Sequence, residues 1–564
     1  MNLLDRFLEK TEFQDYNDFI NNYKPIIPES FNFGYDVVDE YARIAPEKRA
    51  LLHYDDNGDE PKITNYTFGD ISRLSNKYAN LFASLGLKKG DTVLCILRER
   101  AEVWIIITAL IKLGVILIPA TFQLAAEDIV YRCKSADVKM LCAVDDDFLL
   151  KGINEAIPEC SCDLKVGIIG DNVPDNMLDL RELVKTMPDT LDRVPNMCDD
   201  PMLIYFTSGT TGMPKMIVHD FRLPIGHITT AKYWQHVEDD GRHFTYSDSG
   251  WAKFAWGKIF GQWISGAEIV AYDSDRFHAD KLLRAIDSLK LTTFCAPPTI
   301  YRSFIAEDIE KYDFSTIHHC CSAGEPLNPE VINKFKSATG HTIYEGFGQS
   351  ETTVLLANFG WDEIKPGSMG KPAPIYDFQL RDADGHACED GETGTIVIKN
   401  AVSERPCGLF REYRNNPDAM AETWFDGVYS TRDMAWRDSD GYFWFEGRDD
   451  DVIKCSGYRI GPFDVESVLM THPSVKECAV TAVPDDLRGQ VVKATIILHK
   501  GWQGSDELKK DIQAHFKKTT APYKYPRVIE FVDELPKTPS GKIKRGEIKK
   551  RDELKYKAMM SKNK

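Results

Sequence analysis

The chain has 564 residues, enough for a few structural units rather than one. Hydrophobic residues make up 43% and charged residues 28%, a soluble globular balance that excludes intrinsic disorder. The formal net charge of −18 argues against binding nucleic acid through a basic surface, and none is expected as a partner.

Residues 1–10 mix acids and bases, unlike a secretory leader or an Arg-rich transit peptide. Ile71–Leu85 has helical spacing, and Val93–Leu97 looks like a short buried strand. Val103 to Ala120 is apolar enough to imitate a membrane span. Lys112 and Gly114 interrupt it and Pro119 ends it, so a buried helix over 103–113 and a strand over 115–118 are expected, with no integral membrane segment. Further strands are expected at Met140–Val144, Leu203–Thr207, Glu268–Ala271 and Thr293–Ala296, with a helix at Ala279–Leu289. This alternation predicts an α/β fold, a large N-terminal domain of parallel sheets flanked by helices.

From about Met369 the pattern changes to short strands, Phe378–Asp382 and Thr395–Lys399, with turn signals at Asp384-Gly385 and Asp440-Gly441. A small β-rich subdomain is expected there. After Gly447-Arg448 the chain turns polar, then runs to its end as a small α+β unit. A boundary near Asp449–Asp451 divides the chain into residues 1–448 and 449–564. The 13 cysteines follow no zinc spacing, so reduced, mostly buried thiols in a cytoplasmic protein are expected.

The strongest chemical signal is Tyr205-Phe-Thr-Ser-Gly-Thr-Thr-Gly-Met-Pro-Lys215. A strand opens into a loop whose glycines, Gly209 and Gly212, let backbone N–H groups approach a polyanion. The hydroxyls of Thr207, Ser208, Thr210 and Thr211 add donors, and Lys215 adds charge. The spacing is not that of a Walker P-loop. The bland alternative is a flexible Ser/Thr/Gly linker, against which stand the preceding strand and the closing Pro-Lys.

This loop resembles the nucleotide loop of the adenylate-forming superfamily. Ala323-Gly-Glu-Pro326, Tyr344-Glu-Gly-Phe-Gly-Gln-Ser-Glu-Thr352, Ser430-Thr-Arg-Asp433, Gly447-Arg-Asp-Asp-Asp451, Ser456-Gly-Tyr-Arg-Ile-Gly461 and Pro536-Lys-Thr-Pro-Ser-Gly-Lys542 follow in the family's order. The resemblance implies an enzyme that uses ATP and Mg²⁺ to turn a carboxylic acid into an acyl-adenylate. Gly324, Glu325, Pro326 and Phe347 would line the adenine slot, with Glu345, Gly346, Gly348, Gln349 and Ser350 continuing the nucleotide contacts. Ser350 stands where the family usually has Thr, and its hydroxyl still suits the α-phosphate. Glu351 would be the magnesium ligand and Asp433 the carboxylate gripping the ribose hydroxyls. Arg432 replaces the usual Gly beside Asp433, which bears on the local turn. Arg448 and Arg459 would meet ribose and phosphates, Lys542 would be the catalytic lysine, and Asp450 the hinge of a mobile C-terminal domain. Read alone, each of these charges is more often a solvated surface group.

Within the superfamily, Gly461-Pro-Phe-Asp-Val-Glu466, Arg488-Gly489 and Ala521-Pro-Tyr-Lys-Tyr-Pro-Arg527 resemble the medium-chain acyl-CoA synthetases. By that match Gln123, Ser456, Gly457, Tyr458, Arg488, Lys524, Tyr525 and Pro526 would serve coenzyme A. Gly348 stands where acetate-specific relatives have a pocket-closing Trp, so a longer acid should fit, unless Trp251, Trp256 or Trp263 shortens the pocket again. A non-CoA acceptor and a non-catalytic nucleotide- or acyl-CoA-binding member stay open as alternatives, as do monomer and homodimer.

Overall fold

The computed structural model describes residues 2–562 except 208–212, 450, 456–457, 486–488, 521–523 and 538–542; at 454, 458, 459, 489 and 558–562 it describes the backbone alone. Among the described residues the chain forms four sheets.

The first sheet runs, edge to edge, through Glu412–Arg414, Lys215–Asp220, Pro201–Thr207, Ile116–Pro119, Thr92–Ile96, Val138–Val144, Lys165–Ile169 and Leu178–Asp179. From Pro201–Thr207 to Leu178–Asp179 all pairings are parallel. Thr92–Ile96 is buried at every position, as befits a strand covered on both faces. The second sheet carries the parallel core Ile343–Phe347, His319–Ala323, Thr293–Ala296, Arg242–Thr245, Glu268–Asp273 and Arg49–Asp55, with antiparallel strands at its edges. Ion pairs of Arg98 with Asp275 at 3.0 Å and Arg100 with Asp273 at 2.9 Å join the C-terminal ends of Thr92–Ile96 and Glu268–Asp273 across the two sheets, and such ends are the usual place for a ligand in parallel α/β sheets.

Glu102–Leu113 is a helix buried on every side from Val103 onward, closed by Gly114 at φ 68°. Lys112 does not interrupt it. Its ammonium is 0% exposed and bonds Asp39 at 2.6 Å, Asn76 at 2.7 Å and Ser75 at 3.0 Å, which makes a charge tolerable there. No described helix is long and apolar enough to cross a membrane. The strand Lys215–Asp220 was not anticipated. It returns antiparallel on Pro201–Thr207, with Thr207 opposite Lys215.

The small third sheet joins Phe378–Arg381, Gly394–Ile398, Val428–Arg437, Trp424–Phe425 and Phe443–Arg448. The fourth belongs to the C-terminal domain: Tyr458–Ile460, Ile453–Cys455, Gly489–Leu498, Val475–Asp485 and Val528–Phe531. Its Gly489–Leu498 and Val528–Phe531 strands are parallel and joined through the helix Asp506–Thr519; the other pairs are antiparallel. It has its own core of Val465, Leu469, Val480, Ile496, Ile512 and Phe516. The helix Pro462–Leu469 packs on Phe443–Arg448, and a Cβ at Gly461 would collide with the Glu446 carbonyl. That close approach is a reason for glycine at this junction.

Candidate active site

The hairpin fixes the base of the expected phosphate loop: Thr207 and Lys215 face each other across it. Ser208, Gly209, Thr210, Thr211 and Gly212 lie outside the described residues. The short strand Glu412–Arg414 pairs beside Lys215–Asp220 and brings Tyr413 alongside. Lys215 Nζ lies 5.2 Å from the Tyr413 ring centre, and Tyr413 Oη donates to Glu351 Oε1 at 2.7 Å. Burial raises the Glu351 carboxyl above its usual range, while Tyr413, Arg448 and Lys215 pull it back down. Lys215, Glu351 and Arg448 thus form one charged neighbourhood at the strand ends.

His219, on the same hairpin strand, bonds the Ser350 carbonyl through Nε2 at 2.7 Å. A carbonyl only accepts, so Nε2 carries the proton. Burial pushes His219 down to about 4, which keeps the ring neutral and this tautomer in place near neutral pH. The contact fixes the backbone immediately before Glu351.

Gln349 ties the neighbourhood to the third sheet. Its Nε2 donates to Asp433 Oδ2 at 2.5 Å and to the Thr431 carbonyl at 2.8 Å, and its Oε1 accepts from Tyr429 Oη at 2.7 Å. Asp433 is 6% exposed, also receives a backbone anchor from Thr431, and pairs across the strands with Arg448. Arg432 has φ 62°, the left-handed region that glycine takes without strain. The turn that glycine would make here is therefore kept with arginine in it. Its guanidinium grips Asp449 through two bonds of 3.0 and 3.1 Å, and Asp449 N donates back to the Arg432 carbonyl at 3.0 Å.

In the expected adenine slot Gly324 has φ 104°, Glu325 pairs with Arg302 at 3.2 Å, and Phe347 stands 6.1 Å from Phe445. Pro326 leads to Leu327, whose N–H reaches the buried Glu345 Oε1 at 3.2 Å. Glu345 Oε2 is buried without a partner among the described residues, and burial pushes this acid up to about 8. Folding therefore favours its protonated form, and stability falls as pH rises from the ordinary glutamate range through 8. Glu345→Gln keeps the shape and removes the ionisable proton. It should raise Tm by ~2 °C at pH 8 and leave it unchanged at pH 5, as read by calorimetry at both pH values.

Gly346 packs against Trp234, and a Cβ at Gly348 would strike the Trp256 indole and come within 2.7 Å of the Thr353 carbonyl. The room that Gly348 frees is thus filled by Trp256. Trp251 is half-buried ahead of the helix Ala252–Gly257, whereas Trp263 is a core residue bonded to the Ala50 carbonyl at 2.9 Å.

The expected CoA residues are scattered among the described ones. Gln123 is exposed in the loop after Ile116–Pro119. Lys524 pairs with Asp464 at 2.6 Å, Tyr525 Oη accepts from Arg527 at 2.6 Å, and Pro526 is buried with its carbonyl bonded by Gln513. Tyr458 and Arg459 are backbone in the strand Tyr458–Ile460, and Asp450, Ser456, Gly457, Arg488 and Lys542 lie outside the described residues. Sequence reasoning missed Tyr413, His219, Tyr429 and Arg302. None sits in one of the quoted motifs; strand pairing carries Tyr413, His219 and Tyr429 to the site, and the helix Pro298–Phe304 carries Arg302.

Residues 38–413 match the model of the AMP-binding enzyme family, and residues 464–542 that of the AMP-binding enzyme C-terminal domain. Acyl-coenzyme A synthetase ACSM3, mitochondrial, of Mus musculus is 41% identical over 549 residues, covering 96% of this chain and 94% of the relative. Acyl-coenzyme A synthetase ACSM4, mitochondrial, of Homo sapiens is 40% identical over 540 residues, covering 94% and 92%. The crystal structure of the anthranilate CoA ligase AuaEII in complex with anthranoyl-AMP superposes with a TM-score of 0.84 at 29% identity, covering 94% of this chain and 99% of that one. The expectation of a cytoplasmic protein is overturned by these relatives, which are named as mitochondrial. On the extent of both family matches and of these identities, the chain belongs to the AMP-binding enzyme family.

Proposed function

We propose that this protein is an ATP-dependent acyl-CoA synthetase that activates a carboxylic acid as its acyl-adenylate and passes the acyl group to the thiol of coenzyme A. The observation that carries this reading is the meeting of Lys215, Arg448 and the buried Glu351 beside the Gln349–Asp433 pair. That arrangement offers cations to phosphates and a carboxylate to a ribose diol within one neighbourhood.

The acid's carboxylate attacks the α-phosphorus of ATP and pyrophosphate leaves. Lys215, Arg448 and Arg459 bear on the phosphates, with the hydroxyls of Thr207, Ser208, Thr210, Thr211 and Ser350 as further donors. Lys542 stabilises charge on the α-phosphoryl oxygens as the new bond forms. The CoA thiol then attacks the acyl carbon and AMP leaves. Residues 1–448 form the nucleotide- and acid-binding body, and residues 449–564 turn about Asp450 between the two steps.

Glu351 suits Mg²⁺ in donor chemistry: one carboxylate oxygen is held by Tyr413, and the group lies beside the phosphate-side cations. A hard cation with one protein carboxylate and nucleotide oxygens is a common arrangement. When bound, Mg²⁺ would offset phosphate charge. The relatives' names support a mitochondrial setting.

The acid is short to medium in length, because Trp256 fills the space left by Gly348. Trp256→Ala should move the optimum to longer acids, with kcat/KM gaining about fourfold for each methylene that enters the new space. An acid series from acetate to dodecanoate checks this.

The function itself is tested by AMP release from the purified protein with ATP, Mg²⁺ and that series, with and without CoA. CoA-dependent AMP release supports the synthetase. Release independent of CoA would replace it by a ligase with another acceptor, and no release with any acid would replace it by a binding protein.

A further inference from the structure

The thiols of Cys133 and Cys160 meet. Cys133 is 5% exposed, on the helix Ala126–Ser135. Cys160 closes the turn Ile157–Glu159, which follows the helix Asp147–Ala156. Both pack into one apolar core with Ile129, Leu149 and Ile153. Burial raises the Cys133 thiol above its usual range, and so does Cys160, its hydrogen-bonding neighbour. Every cysteine of the chain is a free thiol. Cys160 is half-buried, so an oxidant in solvent reaches it. Cys95 and Cys142 also face each other, on neighbouring strands, but both are buried, as are Cys295, Cys320 and Cys321. One sulfur at the surface beside one in the core is the arrangement a reversible disulfide needs. The outer sulfur reacts first and the inner one closes the bond.

The residues beside Cys133 give such a bond a consequence. Tyr131 Oη donates to the carbonyl of Pro214, the residue before Lys215, at 2.9 Å. The Tyr131 ring meets Phe206 edge-on at 6.0 Å, and the Arg132 guanidinium lies 5.2 Å from the Phe206 ring centre. Phe206 in turn precedes Thr207. The end of this helix therefore holds both strands at the point where Thr207 and Lys215 face each other. A disulfide sets its sulfurs ~2 Å apart, well inside hydrogen-bonding contact, so the helix end or the turn at Cys160 must shift. A hydrogen bond of 2.9 Å does not survive a shift of about 1 Å along its line. The tie between Tyr131 and Pro214 is then lost, and Lys215 with it loses a support.

We propose that Cys133 and Cys160 are a peroxide-sensitive modification site: hydrogen peroxide joins them in a disulfide, and the bond weakens ATP binding by drawing Tyr131 off Pro214. Burial keeps Cys133 a thiol, so Cys160 reacts first. Its thiolate attacks the O–O bond, the sulfur is oxidised to a sulfenic acid, and hydroxide leaves and takes up a proton as water. The Cys133 sulfur then attacks the Cys160 sulfur. The S–S bond forms, and the sulfenic oxygen leaves as a second water with the Cys133 proton. Two thiols and one hydrogen peroxide thus give one disulfide and two waters. A dithiol reductant reverses the step by exchange. The effect on ATP rests on the synthetase reading above; the bond itself does not.

The test treats the folded, reduced protein with hydrogen peroxide, blocks the remaining thiols by alkylation, and maps linked peptides by mass spectrometry. ATP binding is read by isothermal titration before oxidation, after it, and after dithiothreitol. The map should show Cys133 linked to Cys160, and the ATP dissociation constant should rise about fivefold, the scale of one lost hydrogen bond, and return on reduction. Cys160→Ser, a half-buried position that tolerates the change, should bind ATP like the wild type with and without peroxide. Cys162→Ser, at the exposed neighbour, should still form the bond. Reduced Tyr131→Phe should already bind ATP about fivefold more weakly and lose nothing further on oxidation. A link between Cys160 and Cys162, or no link, overturns the proposal. So does a link that leaves ATP binding unchanged, or an equal loss of ATP binding in oxidised Cys160→Ser. In each of these cases the synthetase reading stands. A reduced wild type that does not bind ATP fells both.

Discussion

Lys542→Ala is expected to lower acid-dependent pyrophosphate release by ~10³-fold, the scale of losing one positioned charge at a developing oxyanion. Thioester formation from supplied acyl-adenylate should remain within a few-fold of the wild type. The asymmetry follows from where charge builds: on the phosphoryl oxygens in the first step, on the acyl oxygen in the second. A lysine in a basic stretch has little claim to such a role by itself, but the flanks of this one are held. Lys537 and Ile543 bridge antiparallel, Lys544 N donates to the Pro536 carbonyl at 2.8 Å, and Lys537 pairs with Glu477 at 2.7 Å. Arg545 clamps Glu466 with bonds of 2.6 and 2.7 Å, and Glu466 is 8% exposed. The residues on either side of segment 538–542 are therefore anchored on the C-terminal domain. Pyrophosphate release by Lys542→Ala close to the wild-type rate would remove the lysine from the mechanism. Equal loss in both half-reactions would mean the substitution had disturbed the domain rather than a charge.

The parallel sheets and their helices were legible because buried strands in such sheets are continuous apolar runs, as in Thr92–Ile96, and because Gly114 and Pro119 punctuate the chain where the backbone turns. The hairpin strand Lys215–Asp220 was not. Its ends carry Lys, His and Asp, and nothing local says that His219 and Asp220 are buried by segments 131 and 185 residues further on. The nucleotide motifs were legible as strings of glycine, hydroxyl and charge. Their partners were not: Tyr413 reaches Glu351 across 62 residues and Tyr429 reaches Gln349 across 80.

Asp433→Ala is expected to raise the KM for ATP by ~10²-fold, the size of losing two charge-assisted hydrogen bonds to the ribose, with a smaller fall in kcat. Isothermal titration with ATP alone should show the same loss. The carboxylate can do this because two bonds and a turn position it: Gln349 Nε2 donates to Oδ2, Thr431 Oγ1 accepts from the Asp433 backbone N–H, and the turn at Arg432 aims the strand. The turn can be tested apart from the carboxylate. Arg432→Gly accepts φ 62° without strain and gives up the fork to Asp449, so nucleotide affinity should stay within about twofold of wild type. Arg432→Val places a β-branched residue in the left-handed region, where the backbone resists at a cost of about 1–2 kcal/mol. It should swing Asp433 away and weaken ATP binding toward the level of Asp433→Ala. If valine and glycine behave alike, the strand holds Asp433 without help from the turn, and the left-handed arginine matters only through its grip on Asp449.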